Sequence, residues 1–396
     1  MQANPNDPSN KLNPTERRAA SSLAAVFALR MLGLFLVLPV FALEAHKYPG
    51  GDNPAVVGLA MGLYGLTQGL LQIPYGMASD RFGRKRIIVL GLIIFALGSF
   101  WAAAAQDMTQ LLIGRALQGA GAVSAAVTAL LADLTRPVVR TKAMGLVGAS
   151  IGVMFALSLV VAPALVGLVG LAGLFAGTGV LAVLGIGLII WVTPPAPRQE
   201  SAARTGFLAV LKHPALWRLN VGVFALHAAQ LAMWVAVPSL LVAAGLEKTA
   251  HWQVYLPAVF VAFALTGGVF ALERRGHLKA VMLAAIALLI AVQFGFALLP
   301  TSVWALGGLL FAFFLGFNAL EATQPSLVTR FAPAAQRGAA LGVFNTLQSL
   351  GFFAGGAVGG LIAKNFGFTA IFISCAALLC VWLASAKSMP ALSHNQ

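Results

Sequence analysis

Charge is what this chain has least of. Only 9% of its 396 residues are charged, and 11 are acidic against 25 Lys and Arg. Soluble domains carry about 25% charged residues, so a chain that is 60% hydrophobic is not expected to fold in water. Cysteine is nearly missing as well. Cys375 and Cys380 both lie in the last apolar segment, where two inert thiols are expected rather than a disulfide. There is no HExxH, no CxxC and no phosphate-binding Gly-Lys-Ser/Thr loop, and the six histidines are scattered. An enzyme reading therefore has little support, and no metal or cofactor is expected. The first nineteen residues are polar and include Lys11, Arg17 and Arg18. No short apolar run with a small-residue cleavage site precedes them, so no cleaved signal peptide is expected.

What is present is a series of apolar segments of about 20 residues, the length of a membrane-spanning helix. Twelve are expected, near 20–43, 54–78, 87–105, 108–132, 143–167, 171–193, 218–243, 251–272, 280–299, 302–328, 339–363 and 367–386. The fold class is thus an all-α membrane protein. The one long polar connection, 194–217, begins TPPAPRQ and divides the chain into six-helix halves, 20–193 and 218–386. Residues 1–19 and 387–396 are the tails. Placing both tails in the cytoplasm puts Lys47, Lys248 and Lys364 outside, Arg30 and Arg115 within spans, and the other 20 of the 25 cations on cytoplasmic segments. That is the bias of the positive-inside rule. It accounts for the net charge of +14 without nucleic acid; the expected surroundings are membrane lipid.

The halves resemble each other weakly. A shift of 197 residues, about half the chain, brings Arg140, Ala143 and Gly145 onto Arg337, Ala340 and Gly342. A shift of 193 brings Asp80-Arg81-Phe82-Gly83 onto Glu273-Arg274-Arg275-Gly276. Parallel six-helix repeats are a transporter architecture with the substrate site between them near the bilayer midplane. Between spans 2 and 3 stands the densest charge in the chain, Asp80, Arg81, Arg84, Lys85 and Arg86 within seven residues. Positive charge there helps to set topology, but acidic residues contribute little to orientation, so Asp80 calls for another role.

Gly76-x-x-x-Asp80-Arg81-x-Gly83-Arg84-Lys85, placed between spans 2 and 3 of twelve, resembles the signature of the major facilitator superfamily. Arg115-x-x-Gln118-Gly119-x-Gly121 is similar to its helix 4 motif, which shapes or couples the cavity. The segments FALRMLGLFLVLPV, YGLTQGLLQIPYG and LLADLTRPVVRTKAMG look like bacterial inner-membrane carriers of the drug–proton antiporter branch. Some of those carry a soluble C-terminal domain, whereas about ten residues follow the last span here. The antiporter pattern of helix 5 is only partly kept, as Ser158, Ala162-Pro163 and Gly167.

The resemblance implies that helices 2 and 11 face each other across the halves. Gly58, Gly62, Gly65 and Gly69 on one, and Gly351, Gly355 and Gly359 on the other, are small-residue faces that allow close backbone approach in lipid. It also implies a latch closed when the cavity faces outward. Asp80 would meet the N-terminus of helix 11 near Gly338, where free N–H groups and the helix dipole attract an anion. Gly76 would permit the approach, Gly83 the turn, and Arg84 would pair with Asp133.

Charges inside a bilayer are costly and mark functional sites. Away from span ends there are four, Arg30, Arg115, His227 and Glu321, one each on spans 1, 4, 7 and 10. In the fold implied, these helices line the central cavity. His227 lies 197 residues after Arg30, at the matching place of the repeat. Glu321 is the one carboxylate well inside a span, hence the expected proton-coupling group, with Arg30 or His227 as its cation. A permanent Glu321–Arg30 ion pair and a purely packing role for His227 are the alternatives. Gln68, Gln72, Gln230, Asn318 and Gln324 add hydrogen-bonding capacity in the cavity helices. The expectation is a monomeric carrier of the bacterial inner membrane, driven by the proton gradient and exporting hydrophobic or amphipathic organic compounds. An organic-anion or phosphate-ester exchanger and a non-transporting sensor are the rival readings.

Overall fold

The structure, a computed structural model, describes residues 11–195, 213–274, 277–298, 302–333 and 336–389. The rest, including most of the 194–217 connection, both outer tail segments and Arg275-Gly276 of the weak repeat, lies outside the described residues. Among the described residues twelve α-helices follow one another: α1 Pro14–Glu44, α2 Pro54–Phe82, α3 Arg84–Ala103, α4 Met108–Ala120, α5 Ser124–Asp133, α6 Pro137–Gly187, α7 Pro214–Ala243, α8 Trp252–Arg274, α9 Leu278–Leu298, α10 Val303–Phe331, α11 Arg337–Phe366 and α12 Phe368–Lys387. Helices dominate because a backbone inside hydrocarbon has no water to bond and must satisfy its own polar groups.

Helix number and pass number differ only in the middle of the first half. The fourth pass is broken at Gly121–Val123 into α4 and α5. The run α6 contains the fifth and sixth passes. At Gly170 the backbone takes φ 65°, ψ −177°, a conformation that disfavours a side chain. The chain turns back there. Ser150 bonds the Ala24 carbonyl and Val166 clusters with Val40, whereas Thr178 bonds the Gly33 carbonyl and Thr193 bonds Ser22. So α6 climbs α1 before Gly170 and descends it afterwards. Ten described segments are long and apolar enough to cross a membrane. One of them holds both passes of α6, and α8 adds another 23-residue apolar helix, consistent with twelve crossings.

The first helix starts earlier than the hydropathy does. Asn13 and Glu16 form a reciprocal capping box, with Pro14 in the first turn, which satisfies N–H groups that an α-helix leaves open. Glu16 is then buried against Arg136 at 2.7 Å. Arg18 and Lys85 donate to the Val192 and Thr193 carbonyls at the end of a π-helical turn after α6. These contacts gather one end of the first half on the face that bears the termini.

Candidate substrate and proton site

The two halves meet along α2 and α11, which run antiparallel. A Cβ added to Gly62 would lie 2.7 Å from the Phe353 carbonyl oxygen, one on Gly65 2.5 Å from that of Ser349, and one on Gly360 2.9 Å from the Gly58 Cα. No side chain fits there, so the seam exists only because these positions are glycine. The expected α11 stripe needs a correction. Gly351, Gly355 and Gly359 face α7, against Phe224, Ala228 and Ala232. The glycines against α2 are Gly356 and Gly360. One residue rotates a helix face by about 100°, enough to exchange one neighbour for another.

The seam does not continue to the termini-bearing face. Its last contacts are Gly69 with Ser349 and Leu350. Beyond them a Cβ at Gly338 or Gly342 would meet nothing within 4 Å, and the same holds for Gly145 and Gly148 on α6. In mid-bundle α6 and α8 still touch, through Gly152 and Phe263. The halves therefore close toward the opposite face and part toward the termini. Phe35, Phe155 and Phe314 pack edge to face across both halves, at 5.0 and 5.8 Å, and are buried where the halves still meet.

The polar layer lies at the end of the seam. Pairing Pro214 in the first turn of α7 with an apolar run places His227 fully inside the bundle. Its ring packs edge-on to Phe317 and Phe352, and its Nδ1 lies 2.9 Å from the Val223 carbonyl. Glu321 of α10 approaches Nε2 of His227 at 3.3 Å, and its side chain is 42% exposed while the imidazole is 2% exposed. Gln348 of α11 reaches both, 2.7 Å from His227 Nε2 and 3.3 Å from Glu321 Oε1. Sequence reasoning missed Gln348, because a lone amide on a glycine-rich helix carries no periodic signal.

Arg30 does not pair with Glu321, contrary to one expected arrangement. Its buried guanidinium donates to Tyr64 at 2.6 Å, Gln68 at 2.7 Å and Ser124 at 3.1 Å, all within its own half. The group beside Glu321 is instead the imidazole of His227. Arg115 is buried too, donating to the Ala60 and Met61 carbonyls of α2 and to Gln118, which in turn bonds Ser99. Gly119 lets α4 lie directly on Tyr64 and Thr67 of α2. The helix 4 motif thus ties three helices of one half together. Gln68 also donates to Ser349 Oγ across the interface at 3.0 Å. Gln72, Gln230, Asn318 and Gln324 each carry buried polar atoms with no protein partner.

The charged loop after α2 is arranged within the first half. Gly83, at φ 98°, makes the turn between α2 and α3. Arg84 meets Asp133 at 3.0 Å and Ser79 at 2.7 Å, and Asp80 pairs with the same guanidinium. Arg81 lies over the Phe82 ring. Asp80 is 60% exposed and is not at the α11 N-terminus in this conformation. Gly76 makes only ordinary contact, with Ala125 of α5. On the opposite face an unforeseen ion cluster spans the halves. Glu44, 1% exposed, lies 2.6 Å from Lys47 of its own half and 2.6 Å from Lys248 of the other. Its place at the end of a span had hidden it among ordinary interfacial charges.

Two helical halves that close on one side of a buried polar layer and open on the other define a membrane transporter. The chain belongs to the Major Facilitator Superfamily, whose family model matches residues 23–356. It is 40% identical over 385 residues to the inner membrane transport protein YajR of Escherichia coli (strain K12), covering 96% of this chain and 85% of that protein. It is 28% identical over 355 residues to the multidrug resistance protein MdtH of Aeromonas salmonicida (strain A449), covering 86% of each. Among solved structures, a bacterial homologue of the human lysosomal transporter Spinster, inward-facing and occupied, aligns with TM-score 0.77 at 17% identity over 95% of this chain and 97% of that one. The human organic anion transporter MFSD10 aligns with TM-score 0.72 at 19% identity over 94% and 100%. The chain is accordingly a multi-pass transport protein and not an enzyme.

Proposed function

We propose that the protein is a proton-driven secondary carrier that exports hydrophobic or amphipathic organic compounds across a bacterial inner membrane, as a monomer with both termini in the cytoplasm. The observation that carries this reading is the Glu321–His227–Gln348 cluster, a titratable pair placed where the halves part. The bias of Lys and Arg toward the termini-bearing side supports the orientation; the observed opening then faces the cytoplasm, as loading an export substrate requires. The pair is packed among aromatic rings, with Phe317 and Phe352 edge-on to His227.

The charges also bear on the substrate. Arg30 and Arg115 are 1% exposed and spent on internal hydrogen bonds, whereas Glu321 remains accessible. A ligand entering from the open side meets the Glu321 carboxylate, which favours a neutral or cationic amphiphile over an anion. This weighs against the organic-anion reading despite the matching places of Arg30 and His227.

Alternating access needs a ligand to bind its two conformations with different affinity. A proton on the Glu321–His227 pair supplies such a difference by changing the charge of a layer next to the half interface. In proteoliposomes, Glu321→Gln is expected to keep substrate exchange at equal pH and to lose uphill transport driven by a pH gradient. Wild-type accumulation by Glu321→Gln would remove Glu321 from the coupling role.

A further inference from the structure

Gln348 and Ser349 are consecutive residues of α11, and each belongs to a different half's polar cluster. Gln348 bonds the His227–Glu321 pair of the second half. Ser349 accepts from Gln68, whose carbonyl oxygen accepts from Arg30 of the first half. Ser349 also stands at the end of the α2–α11 seam, against Gly69, beyond which the halves part. We propose that Gln348 is a positioning residue that senses the proton load of His227 and Glu321, and that Ser349 passes this to the half interface through Gln68. The inference rests on the proton-driven reading above and names the coupling element within it.

The chemistry follows from the hydrogen-bond directions. A carbonyl only accepts, so the Val223 carbonyl 2.9 Å from His227 Nδ1 takes a proton from that nitrogen. In the neutral ring the lone pair then sits on Nε2. The amide nitrogen of Gln348, 2.7 Å away, donates to it, and its second N–H points to Glu321 Oε1 at 3.3 Å. One added proton has two places to go. On Nε2 it consumes the lone pair, and that nitrogen turns donor toward Glu321 Oε2 at 3.3 Å. On Glu321 Oε2 it is donated to the same lone pair. Either way Gln348 loses its acceptor on His227, the nearer of its two, and must turn its amide or shift toward Glu321. No other side chain in the layer responds to both locations of the proton.

The remaining charged or titratable groups around the layer do not replace it. Arg30 and Tyr64 face it from α1 and α2, bonded to each other. The helix α11 has no titratable residue between Arg337 and Lys364, and α12 offers only the thiols Cys375 and Cys380 before Lys387. Movement of Gln348 acts on Ser349 at once, because they share a helical turn. Ser349 Oγ is held between the Asn345 carbonyl and Gln68.

The test uses thiol labelling of the full chain in lipid, with Cys375→Ser and Cys380→Ser as background and Gly342→Cys as reporter in the open space beside α11. The probe is a membrane-impermeant maleimide. On this proposal the hydrogen-bond arrangement belongs to the unprotonated pair, in the state open toward the termini. Each rate is divided by that of the same thiol in the denatured chain at the same pH, which removes the thiolate's own pH dependence; the quotient is expected to fall roughly five-fold or more from about pH 8 to about pH 5.5, the scale of an ordinary allosteric coupling. Gln348→Met keeps the side-chain length and removes both N–H groups. It is expected to flatten this pH profile while labelling at about pH 8 stays within roughly two-fold of the parent. Ser349→Ala and Gln68→Met are expected to flatten it partly, and equally, as members of one chain of contacts. A parental profile in Gln348→Met overturns the inference and leaves proton coupling standing. A flat profile in the parent, with pH-gradient-driven flux retained by Glu321→Gln, overturns both. Should Gln348→Met not fold, Gln348→Asn, which shortens the reach of the same amide, must also flatten the profile; an unchanged profile there overturns the proposal.

Discussion

The two ends of the half interface are built from different chemistry. Toward the loop face the halves are pressed together by bare backbone, Gly58 and Gly62 against Gly356 and Gly360, with a buried carboxylate shared by Lys47 and Lys248. Toward the termini the opposing surfaces are polar and charged, with Asp80, Arg81 and Arg84 on one side and the α11 N-terminus on the other. Glycine backbones gain dispersion energy only in contact and lose it steeply on separation. Exposed charges are hydrated when apart and gain little on pairing. The first end is suited to hold shut, and the second to open and close at small free-energy cost.

That contrast can be broken most severely at the seam. Gly360→Leu inserts a side chain where a Cβ alone would come within 2.9 Å of the Gly58 Cα. Overpacking of a tight core costs about 1–3 kcal/mol. Here part of that cost is expected as a shift away from the state closed at this end, with Tm lowered and labelling of Ala55→Cys increased several-fold. An unchanged Tm and labelling rate would show that the seam gives way without penalty.

A smaller effect is expected at the ion cluster. Lys248→Met leaves Glu44 with Lys47 alone and removes the contact between halves. Lys248 is 36% exposed, so solvent screening reduces the value of the pair to about 1 kcal/mol. Labelling on the loop face should rise several-fold, with folding retained, and Lys248→Arg should restore the wild-type rate. The rise should shrink in a Glu44→Gln background, since the two substitutions remove one interaction.

The smallest effect in the observed conformation is expected from Asp80→Asn. Here Asp80 pairs with Arg84 of its own half, so the state open toward the termini should be little changed. Its role is expected in the other state, where an anion at the α11 N-terminus is worth about 0.3–2 kcal/mol. Labelling at Gly342→Cys should therefore rise modestly, through loss of the closed state. Arg84→Ala should act in the same direction and not additively. Equal labelling in all three proteins would reduce the loop to a topology signal.

Much of this was legible in the chain. The scarcity of charge, the span lengths and the loop signature led to an all-α carrier of this superfamily. The choice of Arg30, Arg115, His227 and Glu321 needed only the rule that charge inside a bilayer is expensive. Their partners were not legible. Arg30 and His227 occupy matching positions of the repeat, yet the first is held by Tyr64, Gln68 and Ser124 and the second by Glu321 and Gln348. A glycine stripe on α11 was visible, but not that Gly351 and Gly355 face α7 while Gly356 and Gly360 face α2. Sequence by itself determined that the chain must cross the membrane repeatedly as helices and which charges lie within it, because hydrophobicity and span length are local properties. Only the tertiary structure decided which cation meets Glu321, that Gln348 joins them and which end of the interface is closed. Those outcomes depend on helix rotation and on contacts between residues of different helices, His227 and Gln348 121 positions apart, where a turn of 100° replaces one neighbour by another.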